Sequence, residues 1–174
     1  MIYIHIPFCK SRCLYCDFFS TTSSDLKDDF VKALLKEIEG RAEELRFARA
    51  NTIYIGGGTP SQLDTKHLTD IFDALQRVAP LQDGAEVTIE CNPDDITPEF
   101  VDALKATPVN RVSMGVQTFD DNLLRLLRRR HTSAQAHRAV SLLREAGYSN
   151  ISLDLIYGLP GQTMEMWRKD VDEI

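Results

Sequence analysis

Ile2-Tyr3-Ile4-His5-Ile6-Pro7-Phe8-Cys9-Lys10-Ser11-Arg12-Cys13-Leu14-Tyr15-Cys16, near the head of the chain, decides how the rest is read. Residues 2–6 alternate in character and suit a short strand. Three cysteines follow within eight residues, on the loop that leaves the strand. Thiolates at spacings of four and three can converge on one centre, and soft sulfur selects an iron–sulfur cluster or zinc. A structural zinc site closes with four ligands, and no fourth cysteine is near. His5 could complete a Cys3His set, but on a buried strand it reads better as a core or supporting residue. A cubane cluster has four irons, so three cysteines leave one iron open, which suits chemistry rather than simple electron transfer. Cys13 and Cys16 also form a C-x-x-C pair, which keeps a dithiol couple in view. Cys9 and the lack of a helical pattern directly after the motif count against it.

Working outward, strand and helix patterns alternate to the last residue. Apolar residues recur at helical spacing from Leu26 through Phe30, Val31, Leu34, Leu35, Ile38 and Leu45, with Ser24 as N-cap. Thr52-Ile-Tyr-Ile is a second strand, and Leu68 to Val78 a helix stopped by Pro80. Glu86-Val-Thr-Ile-Glu is the third strand, and Thr97-Pro98 opens another helix with proline at its first position. Arg111-Val-Ser-Met-Gly-Val is the fourth strand. Helical stretches run from about Asp120 to Arg130 and from Ser133 to Ala146, the second closed by Gly147. Ile151-Ser-Leu-Asp-Leu-Ile is the fifth strand, and Thr163 begins a helix still running at Ile174. This alternation predicts an α/β fold with a parallel sheet and right-handed crossovers. The last helix carries no stop signal, so residues 1–174 read as part of a longer protein.

Composition narrows the class. The chain is 43% hydrophobic and 26% charged, ordinary for one globular domain of 174 residues. Its net charge of −6 weighs against a nucleic-acid partner. Arg125, Arg128, Arg129 and Arg130 form the one basic stretch, which by itself reads as a solvated face. No apolar run approaches the roughly 20 residues of a membrane span, and no membrane anchor is seen. The N-terminus lacks the basic region of a signal peptide, so a cytoplasmic location is expected. Cysteines bunched in so ordinary a composition point to metal or redox chemistry rather than a disulfide framework.

Beyond the cysteines, candidate site residues gather at strand ends. Gly56-Gly57-Gly58-Thr59-Pro60 follows the second strand, and glycines let backbone approach a ligand closely. Glu90 ends the third strand, Gln117 follows the fourth, and Asp154 interrupts the apolar fifth. A polar residue in a buried strand is costly without a partner, and β/α folds bind ligands beyond the carboxyl ends of strands. Cys91, beside Glu90, reads as a small buried residue.

Together these stretches resemble the radical S-adenosylmethionine (SAM) superfamily, whose signature is C-x-x-x-C-x-x-C after the first β/α strand. Within it, Tyr3-Ile-His-Ile-Pro-Phe-Cys, Gly-Gly-Gly-Thr-Pro, Ile-Glu-Cys-Asn-Pro, Ser-Met-Gly-Val-Gln and Asp-Leu-Ile-Tyr-Gly-Leu-Pro-Gly-Gln-Thr are similar to the family of oxygen-independent coproporphyrinogen III oxidases and HemW-like heme chaperones. The resemblance implies a partial (β/α)6 barrel, here the N-terminal portion, truncated before its sixth strand. It implies a [4Fe–4S] cluster on Cys9, Cys13 and Cys16 whose open iron binds SAM, with reductive cleavage giving a 5′-deoxyadenosyl radical. Tyr3, Gly57, Gly58, Thr59, Glu90, Gln117, Arg129 and Asp154 become SAM-contacting positions, and Tyr15 is expected near the adenine. Arg129 is thereby set apart from Arg128 and Arg130, which stay ordinary surface charge.

Phe18 stands where the oxidase branch carries a further cysteine, so the resemblance favours a heme chaperone that passes heme to acceptor proteins. Decarboxylation of coproporphyrinogen propionates is the alternative, and a non-catalytic zinc-bound β/α domain a second one.

Overall fold

Alternation along the first strand sends Ile2, Ile4 and Ile6 to one face and Tyr3 and His5 to the other, and this division repeats across the sheet. The computed structural model describes residues 1–48 and 51–174. Its five strands are β1 (Ile2–Ile6), β2 (Thr52–Gly57), β3 (Glu86–Cys91), β4 (Arg111–Gln117) and β5 (Asn150–Leu155). They pair in sequence order and every pairing is parallel. A doubly wound sheet reverses its strand order at a switch point; this one never does. Crossovers of one hand then place all connecting helices on one face and leave the other as the concave interior of a partial barrel. The expected α/β architecture is the one observed.

The helix-side face is apolar: Ile53, Ile55, Val87, Ile89, Val112 and Met114 lie in one continuous core with the aliphatic residues of β1. Against them pack α1 (Lys27–Gly40), α3 (Thr65–Val78), α4 (Pro98–Lys105) and α6 (Ser133–Glu145), with α2 (Ala42–Ala48) beside α3. Thr97 caps α4 through Phe100 N–H, and Thr132 caps α6 in a reciprocal box with Gln135. Thr163 likewise caps α7 (Met164–Glu173).

Two expectations are corrected. The single helix read from Leu26 to Leu45 is two, separated at Arg41, and Ser24 begins a short 3-10 turn (Ser24–Leu26) without a side-chain cap. The helix read over 120–130 is only α5 (Asp121–Leu126); Leu127 closes it, and Arg128 takes a left-handed φ of 57°. That turn precedes Arg129, which reaches the cavity on the concave side, and Arg130, which turns instead to Asp94 and Asp95. Among the described residues, no helix is long and apolar enough to cross a membrane.

Candidate functional site

The cysteine loop leaves β1 and is pinned along its length. Cys9 N–H donates to Thr21 O at 2.9 Å, Thr21 N–H to Pro7 O at 2.7 Å, and Leu14 N–H to Leu127 O at 3.1 Å. His5 supports the loop from below: its Nε2 lies 2.8 Å from Phe19 O, so Nε2 carries the proton. Nδ1 is then the acceptor for Tyr3 Oη at 3.1 Å. His5 is therefore a strut, as its strand position suggested, and not a thiol partner.

Across from the loop, Gly57 and Gly58 run close beneath it. Gly57 has a φ of +117°, and a Cβ there would lie 2.7 Å from the His5 ring. A Cβ on Gly58 would meet the Pro7 backbone at 2.9 Å and Cys9 Sγ at 3.0 Å. Only glycine lets this strand end pass so near the thiols. Thr59 Oγ1 lies 3.4 Å from Cys9 Sγ. Glu90 is held by Tyr54 Oη at 2.6 Å and Gly57 N–H at 3.0 Å.

Gln117 ends β4 in a left-handed conformation, φ 72°, beside an irregularity between Gly115 and Gln117. A non-glycine residue held there stores strain, the kind of departure that clusters at functional sites. Arg129 spans the cavity from behind. Its Nη2 donates to Asn92 Oδ1 at 2.7 Å and Gly115 O at 2.5 Å, and its Nη1 lies 3.4 Å from Cys13 Sγ. Its Nε is buried without a partner. Burial and the nearby Glu90 hold the Asp154 carboxyl above its ordinary range, with Arg111 opposing. Burial likewise pushes the Tyr15 hydroxyl up to about 12, against the pull of Arg129.

One cavity of about 270 Å³ gathers nearly all the expected positions. Cys9, Cys13 and Cys16 line it with Tyr15, as do Gly57, Gly58 and Thr59. Glu90, Gln117, Arg129 and Asp154 complete its wall from the ends of β3, β4 and β5 and the turn after α5. Tyr3 is the exception. It lies on the concave face at the amino end of β1, stacked on Tyr54, and lines a separate, largely apolar cavity of about 560 Å³ between β1 and α1.

Arg130 is not the surface charge expected. It pairs with Asp94 at 2.9 Å and Asp95 at 3.3 Å, and Asp95 also holds Lys10 of the cysteine loop at 3.2 Å. Sequence reasoning did not single out Asn92, Ser113 or Gly115, which also line the cavity. Their signal was available, since each lies in or next to a strand-end stretch already quoted. Cys91 faces the core, buried, with its thiol pushed well above the ordinary value by burial.

The donor set fits a cluster with a ligand beside it. Three partly exposed thiols share the cavity, hydroxyl and guanidinium donors reach two of them, and an unpartnered guanidinium N–H awaits an acceptor. Among the described residues, no three His, Cys, Asp or Glu side chains are placed to hold a single metal ion.

The chain is 43% identical over 173 residues to the heme chaperone HemW of Lactococcus lactis, covering 98% of this chain and 44% of that protein. It is 39% identical over 170 residues to the heme chaperone HemW of Escherichia coli, covering 94% and 44%. The chain thus spans less than half the length of these relatives. Among solved structures, coproporphyrinogen III oxidase (HemN) from Escherichia coli superposes with a TM-score of 0.89 at 32% identity, over 99% of this chain and 40% of that one. The pattern of the radical SAM superfamily matches residues 3–174, and the chain belongs to that superfamily, whose members work with S-adenosylmethionine and a [4Fe–4S] cluster.

Proposed function

We propose that Cys9, Cys13 and Cys16 hold the [4Fe–4S] cluster, that SAM binds in the adjoining cavity, and that the whole protein carries heme to acceptor proteins. The observation that carries the cofactor reading is the cavity itself, where a three-thiol loop faces polar groups from successive strand ends. When bound, the cluster supplies an electron and SAM supplies radical chemistry at carbon. The chain's part is to bind, orient and exclude water.

Gly57 and Gly58 present bare backbone toward the amino group of SAM, and Thr59 stands beside them. Glu90, fixed by Tyr54 and the Gly57 amide, is a ready acceptor for an ammonium or ribose hydroxyl. Arg129 offers its free Nε–H to a carboxylate, while Gln117 and Asp154 face the remaining polar groups. Tyr15 stands on the loop to stack against adenine. Tyr3 acts from outside the cavity, through His5.

The heme reading rests on the names of the relatives and on Phe18, a 68% exposed side chain at the cavity mouth where a thiol would suit the oxidase. Likeness to coproporphyrinogen III oxidase favours a second reading, radical decarboxylation of propionate side chains. One experiment separates them. The full-length protein, reconstituted anaerobically, receives SAM, a reductant and coproporphyrinogen III. The expected result is stoichiometric iron and acid-labile sulfide, SAM binding, untouched porphyrinogen, and saturable binding in a heme titration. Consumed porphyrinogen establishes the oxidase, and stoichiometric zinc without labile sulfide overturns the cluster.

A further inference from the structure

Donor chemistry fixes the direction of a hydrogen-bond chain that runs to the thiols. Arginine has only N–H groups, so the atom of Asn92 facing Arg129 Nη2 at 2.7 Å is the oxygen, Oδ1. The same amide therefore turns its NH2 toward Thr59, with Nδ2 3.4 Å from Oγ1. Having accepted there, the Thr59 hydroxyl directs its own proton to Cys9 Sγ, 3.4 Å away. A second branch runs from Arg129 Nη1 to Cys13 Sγ at 3.4 Å. One side-chain amide thus couples the donors on two of the three thiols.

Asn92 is itself held in place. Its backbone N–H donates to Ser61 Oγ at 3.3 Å, and its carbonyl accepts from Asp95 N–H at 3.0 Å. Ser61 Oγ donates in turn to Asp95 Oδ2 at 2.8 Å. The Asp95 side chain is 2% exposed and ties Lys10 and Arg130 to the same point.

We propose that Asn92 is a positioning residue for the cluster: it sets the hydrogen bonds that Thr59 and Arg129 give to Cys9 and Cys13, and through them the potential at which the cluster is reduced. This rests on the cluster reading above. Reduction adds negative charge to the cluster, and donors on its thiolates stabilise that charge, so hydrogen bonds to sulfur raise the potential. Donors linked head to tail polarise one another, so losing one weakens the next.

The test is a redox titration of the full-length, anaerobically reconstituted protein, followed by electron paramagnetic resonance, with iron and sulfide counted for each variant. Asn92→Ala should load as much iron and sulfide as the wild type and titrate at a lower potential. Thr59→Val should shift it the same way, and the double variant should shift less than the sum of the two. A fully loaded Asn92→Ala protein with the wild-type potential, or strictly additive shifts, would overturn the proposal. A wild type that takes up no cluster defeats the earlier reading instead, so the two failures are distinct. Should Asn92→Ala not fold, the shape-matched Thr59→Val decides. A lowered potential restored by Thr59→Ser supports the chain of donors, and an unchanged one sinks it.

Discussion

Lowering the pH from about 7.5 to about 4.5 should cost the folded chain about 2.5 kcal/mol at one side chain, His131. His131 is 3% exposed and follows α5. Its Nε2–H donates to Val116 O at 3.1 Å, so Nδ1 is the bare nitrogen, and it is buried without a partner. A proton on Nδ1 would place an imidazolium in a buried site beside the Arg129 and Arg130 guanidinium groups, opposed by the Val116 carbonyl and, less, by Asp121. Burial first, and Arg129 next, lower its pKa from the ordinary 6.5 to about 4. Below pH 6.5 the unfolded chain takes up a proton that the folded chain refuses, so stability falls with falling pH until the folded pKa is reached. The full difference is about 3.4 kcal/mol, most of it lost by about pH 4.5. Urea unfolding by circular dichroism, over this range, should show a steeper decline for wild type than for His131→Gln. Glutamine keeps an N–H donor and cannot titrate, and the carboxylates contribute alike to both. Parallel curves would refute the reasoning.

Other consequences are as open to measurement. Replacing Cys9, Cys13 or Cys16 with Ala should abolish retained iron, whereas Cys91→Ala, a buried position at the end of β3 that borders the cavity, should keep it; equal loss from the Cys91 variant would contradict the ligand assignment. Gly58→Ala should cut cluster loading sharply, because its methyl group meets backbone as well as Cys9 Sγ. Gly40→Ala, at the end of α1 with open space around it, should be neutral or stabilising by up to about 1 kcal/mol in a thermal melt. Asp170→Ala should destabilise by about 1–3 kcal/mol, since this 2% exposed carboxylate satisfies Thr118 Oγ1 and Phe119 N–H, each at 2.8 Å; unfolding midpoints in urea would show it.

The strands were legible because each is short, alternating or aliphatic, and followed by a turn signal. The cavity was legible for the same reason: its residues sit at strand ends, where a parallel sheet must place a ligand. What the sequence hid depends on distant partners or on a break without a marker. The apolar period runs unbroken from Phe30 to Leu45 and conceals the separation at Arg41. No glycine marks the end of α5, so nothing announces the left-handed Arg128. Arg130 reads as surface charge until its partners, Asp94 and Asp95, are brought across from β3. Asn92 was hidden differently, since an amide shows its worth only once the donor and acceptor on either side of it are known.

The strands pair only with neighbours in sequence, yet the contact between Arg129 and Cys13 spans 116 residues. The sheet can therefore grow one strand at a time as the chain emerges, while the site closes late. At a synthesis rate of about 5–20 residues per second, Cys13 is made roughly 6 to 23 s before the guanidinium that covers it. Through that interval Cys13 lacks its Arg129 contact, and the loop is more open to oxidation and to adventitious metals. A reducing surrounding during synthesis, and delivery of the cluster after β4 and α5 are in place, follow from the order in which these residues are made.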